Sequence, residues 1–273
     1  MEQTFGYVRE GQTRADYWEK RLTEFRGLDG VGFIGYGAAF NSWMYRARER
    51  VFRKQLSSLP LDFSQVNVLD IGSGTGYWVE VWKSLGVNSL TASDITEIAS
   101  SKLAQRYPEY RVERLDISSA EVPAMLGGTY QAVSAIDILF HITSDEAYSR
   151  AISNIGRLLK AGGYFVFTEN LPHNPMVRAD SQVNRTLDEV SGELRRCGLR
   201  VVKRIPLFVI MNTPFDSKWK QAAFAWRLLM RPLRIFPFLG HLYGAVLFPV
   251  ECFFQGLARE GPSTELVICQ KDG

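Results

Sequence analysis

Val66-Asn67-Val68-Leu69-Asp70-Ile71-Gly72-Ser73-Gly74-Thr75-Gly76-Tyr77-Trp78 is the stretch on which the fold turns. Its first half, Val66 to Ile71, is an apolar run stopped by glycine and reads as a buried strand. Its second half has the form DxGxGxG and leads into a helix read over Gly76–Leu85. Glycine is required where a backbone turns sharply and a ligand lies against it with no Cβ in the way. Several nucleotide folds use that device, and spacing separates them. The dinucleotide fingerprint GxGxxG puts its third glycine at Tyr77, which breaks it. The phosphate-loop spacing is absent, because no GKS or GKT follows. Asp70, ahead of the first glycine, belongs to neither pattern.

Outward from this turn, short β-rich runs alternate with helical ones. Strands are expected at Ser89–Asp94, Tyr110–Leu115, Tyr130–Ile136, Tyr164–Glu169, Leu199–Ile205 and Glu265–Gln270. Helices are expected at Thr96–Arg106, from Ser144 to Leu159 and from Thr186 to about Cys197. Ser144 is placed to cap its helix, with Asp145 and Glu146 in the first turn. Gly162 and Gly163 are read as the stop of that helix, and Thr186 with Glu189 as a capping box. Such alternation implies an α/β fold: a doubly wound, mostly parallel, seven-stranded Rossmann-like sheet with helices on both faces. Two parts stand outside it. Residues 1–60 form an N-terminal helical lid, with helices at Asp16–Phe25 and about Phe40–Leu56. Residues 212–262 form a helical cap inserted before the last strand. The core is then 61–211 with 263–273.

Composition sets outer bounds. The chain has 273 residues, 46% hydrophobic and 22% charged, ordinary for a globular protein with a large core. The net charge of +3 gives no reason to expect nucleic acid as a partner, which needs a clustered basic surface. Cys197, Cys252 and Cys269 form no metal or CxxC spacing, and an odd, scattered set fits a reducing cytoplasm. The polar stretch Met1–Gly11 lacks a signal-peptide core. Ile235 to Ala258 is long and apolar enough to reach across a bilayer. Pro237 and Pro249 interrupt it and His241 and Glu251 lie inside it, which favours a non-spanning reading.

Three acids stand at consecutive strand ends. Asp70 ends the first, Asp94 ends the second about 20 residues past the glycines, where a ribose-binding carboxylate is expected, and Asp116 follows the third. One such acid could simply cap the next helix; three form a constellation. Together with Ser134–Ile142 (SAIDILFHI) and Leu158–Gly163 (LLKAGG), they resemble the successive motifs of class I S-adenosylmethionine-dependent methyltransferases of the small-molecule type. The resemblance covers about Val66 to Ile205. It implies S-adenosyl-L-methionine as cofactor. Gly72, Ser73, Gly74 and Gly76 are then expected against its methionine and ribose, and Asp70 at its amino end. Asp94 and Ile95 are expected at the ribose, Asp116 at the adenine amino group, and Ile117 and Ile136 nearby. Gln131 stands where the family often has an acid.

The implied chemistry needs an aligned acceptor and, for a hydroxyl, a base. His141 follows the fourth strand at the edge where ligands bind in open α/β sheets, and is the candidate base. A packed, locally bonded histidine is the competing reading. Asp137 is expected to orient it or to touch the cofactor, and Glu169 and Asn170 stand at the same edge. No spacing demands a metal. On the Phe40–Leu56 helix, Phe40, Trp43, Met44, Ala47 and Val51 form an apolar face. Asn41, Tyr45, Arg48 and Phe52 form a neighbouring stripe that suits either the wall of a site or a second packed side. Tyr36, Asn41, Tyr45 and Asn170 are the expected acceptor contacts. Gly30, Gly32, Gly35 and Gly37 suit a mobile closing loop or a plain linker. Lys218, Lys220, Arg227, Arg231 and Arg234 alternate with Trp219, Phe224, Trp226 and Leu228, so 218–258 could rest on an anionic membrane surface, hold a lipid-linked substrate or be a solvated helix face. The expected function is O-methylation of a small molecule or saccharide in the cytoplasm, with room for peripheral membrane contact. Alternatives are C- or N-methylation of a natural-product or lipid-linked scaffold, and a non-catalytic cofactor-binding protein.

Overall fold

A computed structural model describes residues 13–25, 27–176, 178–219 and 221–273. The expectations for Met1–Gly11 and for Lys220 lie outside the described residues. The chain opens with α1 (Arg14–Glu24), the short α2 (Leu28–Val31) and the long α3 (Gly37–Leu56). Then follow β1 (Asn67–Ile71), α4 (Tyr77–Ser84), β2 (Ser89–Asp94), α5 (Glu97–Arg106), β3 (Arg111–Arg114), α6 (Val122–Leu126) and β4 (Tyr130–Ala135). The second half runs α7 (Asp145–Leu158), β5 (Leu159–Asn170), α8 (Leu187–Arg196), β6 (Leu199–Pro206), α9 (Ala222–Ile235), α10 (Gly240–Leu257) and β7 (Thr264–Lys271).

The seven strands form one sheet in the order β3-β2-β1-β4-β5-β7-β6. The first five pair in parallel, whereas β7 runs antiparallel to both β5 and β6. Because alternate residues of a strand face opposite sides, neighbours separate into two cores. Val68, Ala132 and Val166 pack with α3 and α4, while Leu69, Val133 and Phe165 pack with α7 and α8. The order reverses between β1 and β4, and the crevice at such a switch point is where open α/β sheets take ligands.

Helix ends follow the sequence signals closely. Ser144 caps α7 through the Ala147 N–H, and Thr186 with Glu189 forms the capping box of α8. The stop of α7 differs from the expectation. The helix ends at Leu158, because Leu159 already pairs with Tyr130 as strand, and Gly162 and Gly163 lie inside β5. Pro249 also interrupts nothing: α10 runs through it.

The glycine-rich stretch before α3 has defined structure. Asn41 Oδ1 accepts the Phe33 N–H, and its amide donates to the carbonyls of Phe33 and Gly37. That side chain fixes α2 and the following 3-10 turn (Ile34–Tyr36) onto α3. Between closing loop and plain linker, the two readings of these glycines, the segment is more than a linker, because it is held against α3.

Candidate active site

The cleft at the switch point encloses roughly 850 Å³, part of it open to solvent. Its floor is the glycine turn. Gly72 has φ +70°, where L side chains are strained, and a Cβ there would also overlap Ile138. Gly74 has φ +50° and lies under Val31 of α2. Gly76 faces away from the cleft. It stacks beneath the Tyr107 ring, whose hydroxyl donates to its carbonyl.

Asp70 does not line the cleft either, contrary to the role that the resemblance implies. It is fully buried and accepts hydrogen bonds from the Ser73 and Ser134 hydroxyls at 2.7 and 2.6 Å. Trp82 Nε1 donates to Ser134 in turn, extending the chain into the core. Burial raises the Asp70 carboxyl to about 6, against the opposing pull of the two serines. Its work is to hold the base of the glycine turn.

Asp94 and Asp116 do reach the cleft. Asp94 accepts from the Gly74 N–H at 2.9 Å with one oxygen, and from the Thr96 N–H and hydroxyl with the other. Burial raises its pKa against those bonds. Asp116 is met by Arg14 of α1 at 2.8 Å and by the Ser118 N–H and hydroxyl. Partial burial alone would raise its pKa; the Arg14 charge and the Ser118 hydrogen bonds outweigh it and hold the carboxyl below its ordinary value. Ile95, Ile117, Ile136 and Trp18 supply apolar wall around these two acids.

The other end of the cleft is built after β4. Asp137 has φ +61°, the one positive φ at a non-glycine among the described residues. Such backbone is uncommon and clusters at functional sites. Thr168 Oγ1 accepts its N–H at 2.7 Å and donates to its carboxylate at 2.9 Å. Arg48 of α3 ion-pairs with the same carboxylate at 3.1 Å while its guanidinium lies over the Tyr45 and Phe208 rings. Its Nη1 is buried without a hydrogen-bond partner.

His141 lines the cleft, edge-on to Trp18. Its Nδ1 is 2.8 Å from the Ser181 carbonyl. A carbonyl only accepts, so Nδ1 carries the proton and Nε2 keeps its lone pair. The Ser181 carbonyl, not Asp137, orients the ring; of its two expected roles Asp137, which lines the cleft, keeps the cofactor contact. Desolvation lowers the imidazole to about 4, so it is neutral at physiological pH.

Three expected contacts fall elsewhere. Glu169 is sealed in the core beside Tyr148, and burial raises it to about 8. Asn170 is bonded to Asn184 and Thr264 away from the cleft. Tyr36 packs edge-on between Phe40 and Trp226. With Asn41 committed to the wall, Tyr45 alone of the expected acceptor contacts lines the cleft. No group of acids, histidines or cysteines among the described residues could hold a metal ion.

A family profile described as "Methyltransferase domain" matches residues 43–213, more than half the chain. The chain belongs to the class I S-adenosylmethionine-dependent methyltransferases. No curated sequence matches it. Among solved structures, the magnesium protoporphyrin IX methyltransferase of Synechocystis PCC 6803 with bound S-adenosylmethionine aligns at 14% identity and TM-score 0.56, covering 94% of this chain and 95% of that one. The 1,6-didemethyltoxoflavin-N1-methyltransferase of Burkholderia thailandensis aligns at 16% identity and TM-score 0.53, covering 94% and 88%. The cyclase SpnF aligns at 18% identity and TM-score 0.52, covering 82% and 80%. At these identities the structures speak for the fold alone.

The cofactor of this methyltransferase is S-adenosyl-L-methionine, and the cleft fits it. Two carboxylates stand at successive strand ends, the two cleft-lining glycines bring bare backbone to the floor, and apolar side chains line the walls around them. Asp94 suits ribose hydroxyls, and Asp116 keeps a carboxylate oxygen bonded only to Arg14. Sequence reasoning missed Arg14, Trp18, Val31 and Tyr77. Arg14 and Asp116 are 102 positions apart, beyond any local pattern.

Proposed function

We propose that this methyltransferase O-methylates a hydroxyl on a small molecule or saccharide, with His141 as the base. When bound, the cofactor supplies an activated methyl group on a sulfonium. The observation that carries the reading is the fixed tautomer of His141. The bond to the Ser181 carbonyl leaves Nε2 able to accept the acceptor hydroxyl's proton as that oxygen takes the methyl group. Arg48, ion-paired with the cleft-lining Asp137, holds that carboxylate in place beside the base. The test is a screen of hydroxylated acceptors, sugars included, for S-adenosylhomocysteine formation. Turnover only with amine or carbon acceptors would overturn O-methylation.

The low pKa of His141 favours a second reading. A desolvated imidazole is a weak base, and an amine acceptor with its own lone pair needs none. N-methylation with His141 as a positioning group predicts a rate that changes little when the imidazole is replaced.

A further inference from the structure

Helix α10 turns apolar side chains outward as well as inward, where Tyr243, Leu247 and Phe248 pack on the core. A surface helix of a soluble domain turns its apolar stripe inward and its polar face to water. Here the inward face holds Gly240, Gly244, Glu251 and Gln255. Glu251 accepts the backbone N–H groups of Val209, Ile210 and Met211, and Gln255 donates to the Leu207 carbonyl. The outward face carries Leu242, Val246, Val250, Phe253 and Leu257 at helical spacing, with Leu242 60% and Phe253 63% exposed. On the neighbouring α9, Trp226, Met230 and Leu233 are buried while Phe224, Leu228 and Ile235 are exposed. Apart from Met125 and Met176, every large exposed apolar side chain among the described residues lies between Trp219 and Leu257. Exposed apolar side chains concentrated in this way on two successive helices mark an interaction surface.

Charge says what covers it. Residues 217–259 contain six Lys or Arg and a single acid, the buried Glu251. Arg227, Arg231 and Arg234 recur at i, i+4 and i+7, so they form a rim beside the exposed stripe of α9. Two copies of the chain meeting through this face would bring like charges together. An apolar helix face rimmed by arginines is complementary to anionic headgroups above acyl chains. We infer that α9 and α10 dock this protein on the surface of an anionic lipid bilayer, with the outer face of α10 in the acyl boundary and the α9 arginines at the headgroups. Pro237–Leu257 has the length and hydropathy to cross a membrane. Its inner side is instead packed on α3, where Cβ atoms at Gly240 and Gly244 would collide with Ala39, Phe40 and Trp43, so it lies on the surface. The same α3 supplies Tyr45 to the cleft wall and Arg48 to Asp137, so the helix on which α10 packs also borders the active site.

The test is flotation of the full chain with vesicles of phosphatidylcholine alone or with one-third phosphatidylglycerol, at low and high salt. The expected result is binding that needs the anionic lipid and weakens with salt. A variant with Leu242→Glu, Val246→Glu and Phe253→Glu is expected to bind at least tenfold more weakly, while its affinity for S-adenosylhomocysteine, which reports folding, stays unchanged. Should that variant misfold, Arg227→Gln, Arg231→Gln and Arg234→Gln test the rim, with a loss of about fivefold per arginine. Wild-type protein that stays unbound with both vesicle types overturns the inference. So does a dimer that the three glutamates split without any vesicle binding, because the occupant is then a second copy. Flotation requires no methyl transfer, so a chain that methylates a soluble acceptor but ignores vesicles defeats this inference alone.

Discussion

The two ends of the cleft differ in how far their polar groups are satisfied. At the nucleoside end, Asp94 has the Gly74 and Thr96 donors and Asp116 has Arg14 and Ser118. At the other end, Arg48 beside Asp137 has its Nη1 buried without an acceptor, Asp137 sits in left-handed backbone, and the neutral His141 ring keeps an unbonded lone pair on Nε2. A self-satisfied end is preorganised for a ligand that every turnover shares. An end with unmatched groups is completed by whatever is brought to it, and buried polar atoms without partners are costly enough to demand a reason. The division of labour that follows is testable, because substitutions at the two ends should separate binding from rate.

The largest effect is expected at the unsatisfied end. His141→Ala should lower kcat about 10²- to 10⁴-fold on a hydroxyl acceptor, the usual worth of a general base, with affinity for S-adenosylhomocysteine kept. An unchanged rate would remove the base assignment and favour N-methylation. Next is Asp94→Ala, which removes a charged hydrogen-bonding group from the preorganised end. A charged hydrogen bond contributes about 1.5–3 kcal/mol, so calorimetry should show binding of S-adenosylhomocysteine weakened at least tenfold. If Asp94 served only to hold Gly74, the melting temperature would fall instead and affinity would follow it.

Smaller effects should appear as pH dependence of stability. The His141 imidazole is lowered to about 4 in the folded chain from an ordinary 6.5. Between those values the unfolded chain binds a proton that the folded chain does not, so stability is full above about 6.5 and falls as pH drops toward 4. The span corresponds to at most ~3 kcal/mol. Denaturant midpoints at pH 7 and pH 5 should differ less in His141→Ala than in the wild type. Glu169 has the opposite sign. Its carboxyl is raised to about 8 from 4.5, so stability is full below about 4.5 and declines as pH rises to 8. Glu169→Gln should flatten that decline, and an unaltered pH profile would show that Glu169 is ionised in the fold.

The preorganised end was the legible one. β1, the glycine turn and the acids after β2 and β3 are local patterns, and a parallel sheet brings consecutive strand ends together. The misplacements have a common cause in facing. Thr168 and Glu169 are adjacent, so their side chains point to opposite sides of β5. Thr168 reaches Asp137, and Glu169 goes into the core beside Tyr148. A strand end read from sequence carries no mark of which parity faces the cleft. Asn41 and Tyr45 lie one turn apart on α3, yet only Tyr45 lines the cleft, because the Phe33 backbone claims the Asn41 amide. Arg14 and Trp18 were invisible for another reason: α1 reaches the cleft through tertiary packing, which leaves no spacing to read.

Arg14 also gives the smallest predicted effect and the sharpest check on the comparison. The Arg14–Asp116 pair is partly open to water, with side chains 25% and 38% exposed. Pairs of that kind contribute about 0–1 kcal/mol. If the carboxylate reads the nucleoside and the arginine only neutralises it, Arg14→Ala should weaken S-adenosylhomocysteine binding by no more than about fivefold. The Asp116 pKa should rise toward its ordinary value, since the Arg14 charge is a main cause of its lowering. Added salt should reproduce part of the loss in the wild type by screening the pair. A far larger loss in Arg14→Ala would mean that α1 itself grips the ligand. The nucleoside end would then also depend on a lid, and the contrast between its two ends would fail where it is now clearest.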